Sequence, residues 1–101
     1  MALTYDSRQL EEKYRKHAQD FGLTAPYNEA NARYFRDLLE AHVGASTTLH
    51  IPGTYRRTIP VVHHLDPATG RNVLSDVSGN FLSAWKLNPD QIKNVLTRGS
   101  L

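Results

Sequence analysis

The sequence predicts an α+β fold in which two or three N-terminal helices pack on an antiparallel β-sheet. Two observations support this prediction. Apolar residues recur at helical spacing over roughly the first 44 residues, and from about residue 47 to residue 87 they alternate with a period of two. Helices followed by a run of strands with short connections are typical of the α+β class.

The first helix is predicted over residues 7 to 20. Asp6 or Ser7 can cap its first turn, and Asp6 stands three residues before Gln9, which is the spacing of a capping box. Gly22 follows as a stop signal. The stripe that repeats along this helix consists of Leu10, Tyr14, His17 or Ala18, and Phe21.

The second helix is predicted over residues 29 to 43, with Asn28 as its N-cap and Gly44 at its end. Its stripe consists of Tyr34, Phe35, Leu38, Leu39 and His42. A short last helix is predicted after Asn88, where a proline occupies the first helical position, and Gly99 ends it.

The period-two pattern predicts four strands, with the sequences TTLHI, TIPVVHHL, NVLSDV and FLSAWKL. The segment DPATGR has the composition of a turn between the second and third strands, and VSGN forms a tight turn between the third and fourth. Turns this short join antiparallel neighbours, so the sheet is predicted to be a meander.

Length and composition limit the possible classes of protein. A chain of 101 residues predicts one domain, residues 1–101, with one modest core. Cysteine is absent, so disulfides, thiol catalysis and zinc–thiolate sites are excluded, and work in a reducing cytosol is favoured. No apolar run approaches the roughly 18 residues of a membrane-spanning helix, so membrane insertion by this domain is not expected.

The charges are unevenly distributed along the chain. The formal net charge is +2, but residues 1–40 contain six Lys or Arg against seven Asp or Glu, whereas residues 41–101 contain six against three. A net basic sheet region favours a polyanionic partner without identifying it.

His17 is the candidate for proton chemistry, and two interpretations are open. A helix would bring it to one face with Lys13, Tyr14, Asp20 and Phe21. It is either a core histidine that hydrogen-bonds Asp20, or a proton carrier that Asp20 orients. In the second case Lys16 and Arg15 supply positive charge, which suits chemistry at a phosphodiester, where charge builds on the phosphoryl oxygens.

Two further segments carry basic and aromatic residues. GTYRR, residues 53 to 57, is either a solvated sheet edge or a contact for RNA, with Arg56 and Arg57 on phosphates and Tyr55 stacked on a base. In FLSAWK, residues 81 to 86, strand alternation places Phe81, Ser83 and Trp85 on one face, opposite Leu82 and Ala84. Trp85 is then either an RNA platform or an anchor of the core.

No metal or cofactor site is predicted. His63 and His64 are adjacent in a strand and point to opposite faces, so they cannot easily chelate one metal. His42 and His50 are interpreted as structural. Because no cluster of carboxylates accompanies the histidines, a metal-dependent nuclease is disfavoured.

The segments KHAQDFG, GTYRR and GNFLSAWKLNP, in this order, resemble the colicin D-type tRNA nuclease domains, the C-terminal toxin domains of bacteriocins and of contact-dependent growth inhibition proteins. The resemblance covers the chain from about Lys13 to Leu101. It implies a barnase-like ribonuclease fold and a tRNA endoribonuclease that needs no metal. One position departs from the family pattern: Tyr14 stands where a second lysine is expected, between Lys13 and Arg15.

The resemblance also assigns site residues. The catalytic residues that it implies are His17, Lys16, Asp20, Ser83 and Trp85, and the predicted RNA-binding residues are Lys13, Arg15, Tyr55, Arg56, Arg57 and Lys86. His17 is expected to deprotonate a ribose 2′-OH, which gives 2′,3′-cyclic phosphate and 5′-OH ends and leaves DNA uncut. The acid that protonates the leaving group stays open among His17, His63 and His64.

The expected partners are tRNA and an acidic immunity protein that protects the producing cell. Delivery from a secreted or cell-surface toxin into the cytoplasm of a target cell is expected. The alternative function, from a different class, is a non-catalytic RNA- or protein-binding α+β module. It would use the same basic and aromatic residues without any titration of His17.

Overall fold

The computed structural model describes residues 2–101, which form three α-helices and one four-stranded sheet. The helices are α1 (Ser7–His17), α2 (Glu29–Gly44) and α3 (Pro89–Arg98), and the strands are β1 (Leu49–Tyr55), β2 (Ile59–Leu65), β3 (Arg71–Asp76) and β4 (Phe81–Lys86). The strand order is β1-β2-β3-β4, with each strand antiparallel to the next. The predicted α+β fold is confirmed. No helix of residues 2–101 combines the length and hydropathy needed to cross a bilayer.

The helix predicted over residues 7 to 20 is wrong in its last turn, because α1 ends at His17. The backbone there leaves the helical region (φ −133°, ψ −1°), and a 3-10 turn follows over Ala18–Phe21. Gly22 then adopts a left-handed conformation and closes the turn. His17 is therefore the last residue of α1, at the junction with the 3-10 turn, and the regular α-helical spacing of the Leu10–Phe21 stripe does not continue past it.

The helix caps follow the sequence signals, with one exception. Asp6 accepts a hydrogen bond from the Gln9 amide at 3.0 Å, as predicted, but the Gln9 side chain donates to the Leu82 carbonyl and so links α1 to β4. The predicted last helix is confirmed as α3, and its capping box joins Asn88 and Gln91 in both directions.

The α2 helix begins after Asn28 and extends to Gly44, one residue beyond the predicted end. Phe35 and Leu39 are fully buried in the core between the helices and the sheet. Tyr34 was predicted on the buried stripe, but it is 55% exposed, because it lies beside the face that meets the sheet.

The two faces of the sheet support two hydrophobic clusters. On one face, Val73 and Ala84 pack with the apolar residues of α1 and α2. On the other, Leu65 packs with Val95 of α3 and with the half-buried Trp85. Side chains of paired residues lie on the same face, so this division follows the strand register.

An irregularity in β4 corrects the predicted alternation. Leu74 pairs with Ser83 but the next residue, Ser75, pairs with Phe81, so Leu82 is an extra residue opposite the ladder. Phe81 consequently lies on the face that packs against α1 and α2, where its ring is 5.1 Å from that of Tyr5. The prediction that Phe81 shares the face of Ser83 and Trp85 is therefore wrong.

The first strand is also displaced from its prediction. TTLHI was expected to form it, but β1 begins at Leu49 and continues through Gly53 and Tyr55. Arg56 and Arg57 form the turn that leads into β2, both with positive φ, at 52° and 72°. The basic pair is thus presented at a tight turn at one end of the sheet.

Candidate active site

An open cleft of about 260 Å³ lies where the end of α1 faces the turn after β1 and the middle of β4. It is lined by Lys13, Lys16, His17, Tyr55, Arg56, Ser83 and Trp85. Seven of the eleven predicted site residues are therefore brought together from three distant segments of the chain.

His17 is the titratable group at the centre of this cleft. Its side chain is 28% exposed, and neither ring nitrogen forms a hydrogen bond with another group among residues 2–101. Burial lowers the pKa of His17, and the positive charges of Lys13 and Lys16 lower it further, against an opposing effect of Asp20. The imidazole is thus neutral at neutral pH, with a lone pair that can accept a proton.

Asp20 lies beside His17 without hydrogen-bonding it. Its Oδ2 is 3.9 Å from His17 Nδ1, and the same oxygen accepts a hydrogen bond from the Lys86 amide at 3.1 Å. The carboxylate is therefore fixed by the backbone of β4. It acts on His17 through charge, since 3.9 Å is too long for a hydrogen bond.

Three aromatic rings form one wall of the cleft. The Trp85 ring lies 6.0 Å from that of His17 and 6.0 Å from that of Tyr55. The Arg56 guanidinium lies 5.2 Å from the centre of the Tyr55 ring, in a cation–π arrangement. Trp85 also packs against the cluster under α3, so it is a wall of the cleft and is partly buried in the core. Its role as an RNA platform stays a prediction.

Two lysines approach the cleft from α1 in different environments. Lys13 is largely covered, with its side chain 13% exposed, whereas the Lys16 side chain is 59% exposed. Both contact the carboxylate of Glu12, with N–O distances of 3.7 Å and 3.3 Å. The Lys16 pair is exposed and contributes little to stability, so its ammonium can exchange the carboxylate for a ligand oxygen.

Tyr14, which stands where the resemblance predicts a second lysine, is a core residue. It is 4% exposed, and its hydroxyl donates to the Ala25 carbonyl at 2.7 Å. Lys13, the preceding residue, lines the cleft and brings a positive charge to it.

Three of the predicted RNA-binding residues lie outside the cleft. Arg15 pairs with Glu11 at 3.0 Å and lies over the Tyr27 ring at 4.9 Å, on another side of α1. Lys86 lines a neighbouring polar groove, and Arg57 is exposed at the turn after β1.

Neither His63 nor His64 faces the cleft. His63 is fully buried, and its Nε2 lies 2.8 Å from the Gly99 carbonyl oxygen. His64, on the opposite face, hydrogen-bonds His50 through Nδ1 at 2.7 Å and Ser75 through Nε2 at 2.9 Å. These contacts remove both histidines as candidates for the acid that protonates the leaving group.

The four histidines other than His17 all hydrogen-bond groups within the fold, and His42 binds the His64 carbonyl at 2.7 Å. Within residues 2–101, no group of three or more His, Asp or Glu side chains is placed to hold a metal ion.

Arg71 supports the site and was not identified from the sequence. Its Nε donates to the Asp20 carbonyl at 3.0 Å, and its guanidinium lies 5.7 Å from the centre of the Phe21 ring. It thereby fastens the 3-10 turn that carries Asp20 to the start of β3. An arginine at a strand start has no local signal that relates it to a turn about fifty positions earlier.

A solved structure shares the fold of this chain. A ribonuclease from Escherichia coli, solved in complex with its inhibitor protein, superimposes with a TM-score of 0.80 and 38% identity over 92% of this chain and 100% of that chain. The fold is therefore one that a ribonuclease adopts.

The sequence comparisons define the family. The Colicin D family model matches residues 9–95, and Colicin-D of Escherichia coli is 39% identical over 87 residues, which are 85% of this chain. The chain belongs to the colicin D family, as the sequence resemblance indicated. It spans 12% of the length of Colicin-D.

Proposed function

We propose that this chain is an endoribonuclease toxin domain, residues 1–101, that cleaves tRNA without a metal ion. One observation carries the proposal: His17, whose pKa is lowered by burial, lines an open cleft together with two lysines and an aromatic wall. Membership of the colicin D family and the similarity to a solved ribonuclease support the same activity.

In the proposed reaction, His17 accepts the proton of a ribose 2′-OH, and the 2′-oxygen attacks the adjacent phosphorus. The bond from phosphorus to the 5′-oxygen breaks, which gives a 2′,3′-cyclic phosphate and a 5′-OH end. The imidazolium of His17 then returns its proton to the leaving oxygen, since His63 and His64 make other contacts. The RNA supplies the nucleophile, so a strand without 2′-OH groups is not cut.

The cleft residues around His17 would stabilise the charge that develops on phosphorus. Lys13 and Lys16 would bind its non-bridging oxygens, and Ser83, which is 3% exposed on the floor of the cleft, would donate a hydrogen bond to one of them. Asp20 would stabilise the imidazolium by its charge.

The remaining basic and aromatic residues would hold the RNA. Tyr55 and Trp85 offer faces for a base, and Arg56 offers a guanidinium at the cleft rim. Arg15, Arg57 and Lys86 would contact the backbone further out, so affinity should fall as the salt concentration rises.

An acidic immunity protein is the proposed partner. The solved ribonuclease that resembles this chain is bound to its inhibitor protein, and the cleft here is lined by three cationic side chains, Lys13, Lys16 and Arg56. An acidic surface seated on these charges would exclude RNA and associate rapidly. The remainder of a longer secreted or cell-surface toxin would deliver this domain to the cytoplasm of the target cell.

The test is a denaturing gel of total bacterial tRNA, incubated with the purified chain in excess EDTA beside His17→Ala. Discrete fragments are expected from the wild type, and loss of general base catalysis should slow cutting by about a hundredfold or more in the variant. Circular dichroism establishes that both proteins are folded. Intact tRNA in the wild-type lane would favour the non-catalytic binding module, and equal cutting by both proteins would remove His17 from the mechanism.

A further inference from the structure

The segment Gly99–Leu101, here called the strap, lies beside the end of β1. The Thr54 amide donates to the Gly99 carbonyl at 2.8 Å, and the Leu101 amide donates to the Thr54 carbonyl at 3.1 Å. The Arg56 amide donates to the Leu101 carbonyl at 2.9 Å. The strap therefore binds the last residues of β1 and the first residue of the turn that enters the cleft.

Two glycines allow the strap to come this close to β1. A Cβ placed on Gly53 would lie 1.8 Å from the Gly99 carbonyl oxygen, a distance that no side chain can occupy. Gly99 itself has φ +65°, which a residue with a side chain rarely adopts. The contact is thus built into the backbone at both positions.

His63 lies beneath the strap and holds it. The side chain is fully buried, and its Nε2 is 2.8 Å from the Gly99 carbonyl oxygen. A carbonyl oxygen only accepts, so Nε2 carries the hydrogen. The other nitrogen, Nδ1, faces the Asn72 side-chain amide nitrogen at 3.4 Å, and burial lowers the pKa of His63, which is consistent with a neutral ring.

The strap hydrogen-bonds the turn at the rim of the cleft, where the backbone conformation is the least favourable for residues with a side chain. Arg56 and Arg57 both have positive φ, which is uncommon for residues with a Cβ and persists where surrounding contacts fix the backbone. The contact between the Arg56 amide and Leu101 fixes the first of them, whose guanidinium stacks on Tyr55 in the cleft.

We propose that His63 is a positioning residue for RNA binding: through the strap it holds the turn that presents Tyr55 and Arg56 to the cleft. This inference rests on the proposed ribonuclease function. His63 does not touch the substrate, and its effect passes through Gly99 and Leu101 to the backbone of Arg56.

Amide hydrogen exchange tests the mechanical part without any RNA. His63→Leu keeps a similar side-chain volume but loses the N–H donor to the Gly99 carbonyl. Because that hydrogen bond holds the strap to which the amides of Thr54 and Arg56 donate, both amides should exchange about tenfold faster or more. His63→Gln retains an N–H donor and should restore protection. His64→Leu is the matched control, a buried histidine on the opposite face, and should leave both amides protected.

Steady-state cleavage of tRNA tests the functional part. In His63→Leu the KM should rise by about tenfold with kcat nearly unchanged, because a contact made in both ground and transition states is weakened. His63→Gln should restore the KM. In the Arg56→Ala background, His63→Leu should raise the KM less than it does in the wild-type background, because part of its effect passes through the same guanidinium.

Different results separate the possible failures. Unchanged exchange at Thr54 and Arg56 in His63→Leu would overturn the inference, as would faster exchange with an unchanged KM, which would make His63 purely structural. If wild-type protein leaves tRNA intact, the proposed function fails, and RNA binding measured by filter retention replaces KM as the readout. Equal RNA affinity of wild type and His63→Leu would then overturn the inference too.

Discussion

The imidazole of His17 lies 6.0 Å from the indole of Trp85, with the two rings tilted by 34°. This contact covers one side of a side chain that is 28% exposed, and burial is the largest cause of the lowered pKa of His17. Trp85 thus lies against the candidate base and lines the same cleft.

Removal of the indole should raise the pKa of His17. In Trp85→Ala, water reaches the imidazole and the desolvation that disfavours its charged form is relieved. An NMR titration of the His17 ring measures the change directly, and Trp85→Phe, which keeps an aromatic ring, should shift the pKa less. An identical His17 titration in Trp85→Ala and wild type would show that another group provides the burial.

The charges around His17 should move its pKa in opposite directions. Asp20 raises the pKa, so Asp20→Asn should lower it further, whereas Lys16→Gln removes a charge that lowers it and should raise it. A general base must be neutral to accept a proton, so kcat/KM should increase with pH until the pKa of His17 is passed and should then be constant. Because that pKa is lowered from 6.5, the plateau should begin at a pH lower than 6.5. The acidic limb of kcat/KM should follow the two shifts, and a limb that moves the same way in both variants would contradict this account.

Lys16→Gln should also reduce activity at the plateau. Loss of a charged hydrogen bond to the phosphoryl group predicts a fall in kcat of about tenfold. Lys93→Gln, an exposed lysine of α3 that does not line the cleft, is the matched control and should cut tRNA at the wild-type rate. A similar loss in both variants would indicate a general effect of net charge on RNA binding.

Much of the fold could be predicted because its signals are local. The caps at Asp6, Asn28 and Asn88 set where the helices begin, and period-two alternation identified the sheet. The end of α1 at His17 could not be predicted, because the Arg71 contact that fastens the following turn comes from a distant segment. The extra residue at Leu82 likewise depends on strand pairing, which one strand alone does not show.

The site could be predicted in part. The resemblance assigned five catalytic residues and the basic and aromatic segments supplied six RNA-binding candidates, and the structure gathers seven of these eleven into one cleft. The sequence could not show that Lys13, and not Arg15, lines the cleft. Both residues flank Tyr14, and the direction of each side chain depends on how α1 is rotated against β4. The burial of His63 beneath the strap was equally hidden, because Gly99 lies 36 positions away.

The chain should lose stability in acid through His64. Burial, followed by repulsion from His50 and His42, lowers its pKa to about 4 from an ordinary value of 6.5. Between these values the unfolded state binds one more proton, so the free energy of unfolding falls as pH drops from 6.5. The loss is complete below about pH 4, at about 3 kcal/mol.

Urea unfolding at several pH values between 7 and 4 measures this loss. His64→Leu should flatten the pH dependence by about the same amount, while His50→Gln, which removes one repelling partner, should flatten it less. A pH dependence that is unchanged in His64→Leu would assign the acid sensitivity to other groups.

Alanine at two glycines should have opposite effects on stability. Gly53→Ala places a Cβ 1.8 Å from the Gly99 carbonyl oxygen, so β1 and the strap must separate, with a loss of about 2 kcal/mol or more. At Gly44, in the last turn of α2, a Cβ meets nothing within 4 Å, and Gly44→Ala should gain up to about 1 kcal/mol from its helical propensity. Urea unfolding measures both. Because the strap supports the turn at Arg56, Gly53→Ala should also weaken RNA binding, whereas Gly44→Ala should not. Equal free energies of unfolding for the two variants would show that the strap tolerates displacement.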